Sequence, residues 1–126
     1  ERTSELAIAA VQRGSWQEAM AYSERALRTA PRNSEAFLSA LGTWETVRIE
    51  YAKWLLGSGR PAEAIRWADE VIAKGRANSE THLVKGKAYL SLGEIGLARQ
   101  ELELSAARGG GAGREAERLL GILGAR

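Results

Sequence analysis

A short pattern of small residues recurs three times along this 126-residue chain. In each copy a glycine is followed five positions later by an alanine, and another small residue lies seven positions before the glycine. The three sets are Ala7, Gly14 and Ala19; Ala52, Gly59 and Ala64; and Gly86, Gly93 and Ala98. The last two glycines are 34 residues apart. A pattern repeating at such a period indicates stacked units of similar structure rather than one irregular core.

Helix pairs explain why small residues recur at these positions. Two antiparallel helices approach closely only where the facing side chains are small, and the glycine of each set suits the position after a helix end, where φ is positive. Ser15 and Glu18 predict a capping box, and Pro61 fits the first turn of a helix. Alanine, leucine, glutamate and arginine, which favour helices, dominate the chain, and it has only two prolines.

This spacing and pattern resemble the tetratricopeptide repeat, a helix–turn–helix unit of about 34 residues. The resemblance covers about residues 3–108. It implies an all-α antiparallel helix-pair solenoid of about seven helices, wound as a right-handed superhelix. It also implies a single domain, 1–126, whose parts are repeats at about 1–33, 34–78 and 79–112 and a capping helix at about 113–126.

The sequence departs from the repeat pattern at two kinds of position. Where many such repeats carry a bulky residue near the start of the first helix, this chain has Thr3, Arg48 and His82. The proline that closes a repeat is kept as Pro31, whereas Arg76 and Gly110 stand in the other two places.

Turn and capping residues set the predicted helix boundaries. The glycine-rich segment 109–113 is expected to be a flexible break, after which apolar residues of a last helix would cover the open end of the stack. These covering residues are Leu119, Leu120, Ile122 and Leu123. The predicted helices are about 3–13, 15–29, 34–57, 61–74, 79–92, 94–107 and 114–123.

The second unit is irregular, because Gly14 and Gly59 are 45 residues apart, 11 more than the regular step. Eleven residues add about three helical turns, so the helix predicted at 34–57, opened by Asn33 and Ser34, is unusually long. Its apolar stripe is Phe37, Leu41, Trp44, Val47, Tyr51 and Leu55. A break at Gly42, with Thr43 capping a fresh helix, stays an alternative.

The extra turns raise the question of what covers them. The stripe either packs within the fold or exposes an assembly surface to a partner or a second copy. That surface consists of Phe37, Leu38, Leu41 and Trp44. We predict exposure for Trp44 and Trp54, while Trp16 and Trp67 are predicted to lie between helices.

The sequence offers little for catalysis, and we predict no enzyme activity, no cofactor and no metal site. The chain has no cysteine. His82 is its one histidine and has no evident carboxylate at ligand spacing, so it is expected to be a packing or surface residue. Segment 109–113 contains no lysine and lacks the residue order of a phosphate-binding loop.

Charge and hydropathy limit the partners. The net charge of +2 comes from 18 basic and 16 acidic residues that are interleaved, so nucleic acid is not predicted as a partner. No apolar run approaches the roughly 20 residues needed to cross a bilayer, and direct membrane insertion is not predicted. The compartment stays open between cytoplasm and periplasm, and the Ala/Arg/Gly-rich composition favours a bacterial origin. A start at Glu1 instead of Met suggests a fragment or a processed form.

The resemblance implies a groove lined by the first helix of each unit, which would hold an extended peptide or a helix. The groove residues would be Ser4, Ile8, Val11, Ile49, Lys53, Leu56, Leu83, Lys87 and Leu90. One subgroup of the family grips a terminal carboxylate with basic and amide side chains, and the matching places here are Ser4, Ile8, Glu50, Glu80 and Val84. Because none of these is basic, that clamp is not expected.

These features predict a scaffold or adaptor module that binds a protein or peptide ligand. Two alternatives stay open. One is a self-assembling structural module that forms a homo-oligomer through the long helix 34–57. The other is a recruiting domain of a larger enzyme or membrane protein.

Overall fold

A computed structural model describes residues 2–124, and over that range the chain forms seven α-helices and no β-strand. The all-α prediction is therefore confirmed. The ends of the first six helices lie within one residue of the predicted ones. The helices are α1 (Arg2–Arg13), α2 (Trp16–Thr29), α3 (Glu35–Gly57), α4 (Pro61–Ala73), α5 (Ser79–Ser91), α6 (Ile95–Arg108) and α7 (Gly110–Gly124). Glu1, Ala125 and Arg126, which belong to the predicted domain 1–126, lie outside the described residues.

The chain divides into two compact units, Glu1–Tyr51 and Ala52–Arg126. The first contains α1, α2 and most of α3, and the second contains the end of α3 and all of α4 to α7. Helix α3 is continuous over its 23 residues, so the alternative of a break at Gly42 is wrong. Ser34 caps α3, because its hydroxyl accepts a hydrogen bond from the Phe37 amide at 3.1 Å.

In the first unit, α1 and α2 pack through small residues against α3. Ala7, Ala10, Ala19 and Val47 form a fully buried cluster. Trp16 and Tyr51 lie with their ring centroids 5.2 Å apart. Gly14 makes the predicted turn with a φ of 74°. Burying alanine on both helices allows the close approach expected from the sequence.

The capping box predicted at the start of α2 is absent. Ser15 is the N-cap residue, but its side chain makes no capping hydrogen bond. Glu18 instead accepts a hydrogen bond from Arg13 at 2.8 Å. The exposed arginine competes for the carboxylate that the predicted motif would have used.

The core of the second unit lies among α5, α6 and α7. Leu83, Leu102, Ala116 and Leu123 are buried together. Leu90, Ala106, Ala112, Leu119 and Leu120 pack against them. Helix α7 thus covers this core with three of its four predicted residues, whereas Ile122 is 51% exposed. Ala52, Ala64 and Ala98, predicted at tight crossings, are fully buried.

The glycine-rich segment 109–113 is a helix start and not the predicted break. Gly109 and Gly110 make a turn with φ of 77° and 71°, and α7 begins at Gly110, four residues before its predicted start. Gly113 packs so closely on α6 that a β-carbon there would lie 3.1 Å from the Ser105 carbonyl oxygen. The glycines therefore serve close packing and a tight turn.

Two serines join the start of α5 to the end of α6. The Ser79 hydroxyl donates to the Ser105 carbonyl at 2.8 Å, and the Ser105 hydroxyl donates to the Ser79 carbonyl at 2.8 Å. Ser105 is fully buried, so these bonds satisfy polar groups that would be costly to leave unpaired.

Candidate functional site

A pocket in the second unit lies between the end of α3 and the face of α5 that carries Glu80 and Lys87. We call it the α3–α5 pocket. Its volume is about 260 Å³. Its lining residues are Lys53, Leu56, Gly57, Glu80, Leu83, Val84 and Lys87. Four of these, Lys53, Leu56, Leu83 and Lys87, are among the predicted groove residues.

Helical spacing places these side chains on one surface. On α5, Glu80, Leu83, Val84 and Lys87 follow the i, i+3, i+4, i+7 spacing of a single helix face. On α3, residues 53, 56 and 57 are likewise three and four positions apart. Each helix therefore presents one face to the pocket.

Local interactions fix the ends of both helices. Asn78 caps α5 with a capping box. Its side-chain oxygen accepts a hydrogen bond from the Thr81 backbone amide at 2.9 Å, and its backbone amide donates to the Thr81 hydroxyl at 3.2 Å. At the end of α3, Gly59 has a φ of 77°, and the Arg60 amide donates to the Leu55 carbonyl at 2.9 Å. Fixed helix ends hold the pocket side chains in place.

The pocket has an apolar floor and a charged rim. Leu83 and Val84 are buried, and Leu56 is half-buried. At the rim, the Lys53 ammonium lies 3.0 Å from the Glu80 carboxylate, and both side chains are nearly half exposed. Lys87 lies 3.9 Å from Glu115. Such a surface can receive an apolar side chain at the floor and a charged group at the rim.

Glu115 is held mainly by Arg118 and only weakly by Lys87. Arg118 donates two hydrogen bonds to its carboxylate, at 3.0 and 2.7 Å. This hydrogen bonding, with the charges of Arg118 and then Lys87, holds the pKa of Glu115 below its ordinary value, although desolvation acts in the opposite direction.

The other predicted groove residues are not part of this pocket. Ser4 and Ile8 line a shallow hollow in the first unit, together with Ser39 and Thr43. Val11 and Leu90 are partly buried against the cores of their own units.

Ile49 is 3% exposed and so does not lie on an open surface. Its neighbours Val47 and Arg48 are also buried. Three consecutive buried residues point in different directions around a helix, so α3 is covered here on more than one face. A single apolar stripe in the sequence does not reveal such coverage.

The predicted assembly surface on α3 is only partly exposed. Leu38 is 61% exposed, while Phe37 and Leu41 are half-buried. Trp44 is 4% exposed, so its predicted exposure is wrong. Trp54 is 46% exposed, as predicted.

Arg48 explains the burial of Trp44. Its guanidinium lies 4.1 Å from the centroid of the Trp44 ring, donates to the Ser23 hydroxyl at 3.0 Å and contacts the Glu24 carboxylate at 2.6 Å. The Trp44 indole N–H also donates to Glu24, at 3.2 Å. We call these four residues the Arg48 cluster, which joins α2 to α3. In the sequence, the only sign of this cluster is that Arg48 departs from the repeat pattern.

His82 has a carboxylate partner that the sequence did not reveal. Its Nδ1 lies 2.8 Å from Glu101 on α6, and Lys85 lies 3.5 Å from the other oxygen of Glu101 and 2.8 Å from Asp69 on α4. Burial alone would lower the pKa of Lys85, but the Asp69 hydrogen bond and the charges of Glu101 and Asp69 raise it overall. These contacts join α4, α5 and α6.

Neither metal-binding nor membrane-spanning features are found between residues 2 and 124. No group of three or more His, Asp or Glu side chains in that range could hold a metal ion. None of the helices described there has both the length and the apolar character needed to cross a bilayer.

No protein-family model matches the chain, and no curated protein or solved structure shows significant similarity to it.

Proposed function

We propose that this chain is an adaptor module of the tetratricopeptide-repeat type, which binds a segment of another protein in the α3–α5 pocket. The role is binding rather than catalysis. The observation that carries the proposal is the pocket itself, where faces from two helices supply an apolar floor and a charged rim.

The repeat pattern supports this proposal from a second direction. The positive φ angles of Gly14, Gly59 and Gly93 and the buried alanines near them fit a chain built from repeated helix pairs. Repeats of this kind commonly present a binding surface made of equivalent faces of successive units. An amphipathic helix that buries an apolar side chain is a suitable occupant.

Three series of short peptides provide the test. All carry the same stripe of leucines, and the polar positions are all glutamate, all glutamine or all lysine. Binding of fluorescently labelled peptides is measured by fluorescence anisotropy. We expect at least one series to bind and Leu56→Ser to weaken that binding, because the substitution removes apolar contact area from the pocket.

The matched control is Leu104→Ser, on α6 outside the pocket, where the leucine is 46% exposed. It should leave peptide binding unchanged. Equal binding by wild type and Leu56→Ser, with both folded by circular dichroism, would contradict the proposed site.

A second candidate function is self-association through the first turns of α3, and the 61% exposure of Leu38 favours it. Light scattering across a concentration series tests this candidate. Self-association predicts a mass above the monomer that falls in Leu38→Ser but not in Leu6→Ser, where the leucine is 38% exposed. A constant monomer mass would remove it.

A further inference from the structure

The rim of the α3–α5 pocket has more basic than acidic lining residues. Its charged lining residues are Lys53, Lys87 and Glu80. The two lysine side chains are 44% and 41% exposed, so a partner can reach both. A pocket with a basic rim attracts acidic groups.

Lys87 is the better placed of the two lysines to bind an incoming carboxylate. Its neighbour Glu115 is already held by two hydrogen bonds from Arg118, and the Lys87 ammonium lies 3.9 Å from that carboxylate. This separation is too long for a strong charge-assisted hydrogen bond. A carboxylate from a partner could approach the Lys87 ammonium more closely without displacing Arg118.

Lys53 plays a supporting role. It pairs with Glu80 at 3.0 Å, and exposed pairs of this type are weak and exchange readily. A second carboxylate could share Lys53, but Glu80 would repel it. Lys53 therefore adds less to the attraction than Lys87 does.

The floor of the pocket limits the apolar part of the partner. A cavity of about 150 Å³ holds a benzene molecule, so about 260 Å³ has room for one large aliphatic side chain or two smaller ones. Leu83 and Val84 form the buried part of this floor. Lys87 follows Leu83 by four positions and Val84 by three on α5. A carboxylate of the partner should therefore lie within about one helical turn of the apolar side chain that enters the pocket.

We infer that the partner of the α3–α5 pocket is an acidic amphipathic segment of another protein, whose apolar side chain enters the pocket while a neighbouring carboxylate pairs with Lys87. This inference rests on the proposed function. It adds the chemical class of the partner, which the pocket geometry alone does not give.

The three peptide series test the charge preference directly. The glutamate series should bind several-fold more tightly than the glutamine series, and the lysine series should bind most weakly. Added salt should weaken glutamate binding and leave glutamine binding nearly unchanged, because salt screens exposed charges.

Two variants of Lys87 and one control locate the effect. Lys87→Glu should reverse the preference, and Lys87→Gln should reduce it without reversing it. Arg99→Glu makes the same change in net charge at an exposed position on α6 that does not line the pocket. It should keep the wild-type preference, which separates the pocket from the overall field of the protein.

The possible failures are distinguishable. Binding that depends on Leu56 but is equal for the glutamate and glutamine series would overturn the acidic partner and leave the proposed function standing. A glutamate preference lost equally in Lys87→Glu and Arg99→Glu would also overturn it, because a general charge effect would then explain the result. If none of the three peptide series bound to the protein, both proposals would be overturned.

Discussion

A methyl group of Leu102 on α6 lies too close to Gly86 on α5 to leave room for a β-carbon at position 86. A β-carbon placed on Gly86 would approach Leu102 Cδ2 to 2.7 Å and its Cγ to 2.9 Å. Leu102 is fully buried, so it has little room to move away. This contact explains why the small residue predicted for the crossing of α5 and α6 is a glycine.

Gly86→Ala should therefore destabilise the second unit. Overpacking a core typically costs about 1–3 kcal/mol, and the gain in helix propensity from replacing glycine returns about 1 kcal/mol. We expect a net loss of about 1 kcal/mol in the free energy of unfolding. Urea denaturation monitored by circular dichroism measures it.

Gly42→Ala is the matched control, because a β-carbon there meets no other heavy atom of the described residues within 4 Å. Gly42 lies inside α3, so alanine should raise stability by up to about 1 kcal/mol. If both variants gained stability, the close approach at Gly86 would not be a constraint.

The Arg48 cluster predicts an unequal effect of two identical substitutions on α2. Glu24→Gln removes the negative charge that faces the buried Arg48 guanidinium, and we expect a loss of about 1–3 kcal/mol. Glu18→Gln affects an exposed pair with Arg13, in which both side chains are more than half exposed. It should change stability by less than about 1 kcal/mol. Equal losses in the two variants would show that the Arg48 cluster contributes no more than a surface pair.

Helix capping should differ between α5 and α2. Asn78→Ala removes the side-chain oxygen that accepts the Thr81 amide in a complete capping box and should cost about 1 kcal/mol. Ser15→Ala removes a hydroxyl that makes no capping bond and should cost much less. Thermal unfolding of both variants checks this order, and equal losses would show that Ser15 caps α2 as the sequence suggested.

Lys85 should give the protein a stability component that is lost in alkali. Because its pKa is raised in the folded state, its stabilising effect is fully present below the unfolded lysine pKa of about 10.4. The effect is then lost as the pH rises through the folded pKa.

Denaturation at a series of alkaline pH values should show a steeper loss for wild type than for Lys85→Gln. Asp69→Asn removes the hydrogen bond that chiefly raises the pKa and should also flatten the slope. Identical slopes in all three proteins would show that Lys85 has the same pKa in the folded and unfolded states.

Sequence reasoning located most helix ends because local chemistry determines them. Gly59 acts through its freedom to adopt a positive φ and Pro61 through its fixed φ, and neither property depends on the rest of the fold. The start of α7 was missed because glycines have low helix propensity, and only the packing of Gly113 on Ser105 shows why they are helical here.

Part of the candidate site could be predicted from the sequence, because the spacing of residues along a helix is also a local property. Helical spacing groups Leu83 with Lys87 on one face, and the family resemblance indicates which face. Nothing local, however, shows that Ile49 is covered. Arg48 meets Glu24 from 24 positions away, and periodicity within one helix carries no information about such a partner.

The unequal burial of the tryptophans has an optical consequence. Trp44 is 4% exposed under the Arg48 guanidinium, while Trp54 is 46% exposed. Dissolved iodide should therefore quench the emission of Trp54 in the native protein and leave that of Trp44 largely untouched. Unfolding would expose both indoles to the ion. The fraction of the tryptophan emission that iodide quenches should therefore rise on unfolding, which reports the folded state without an added label.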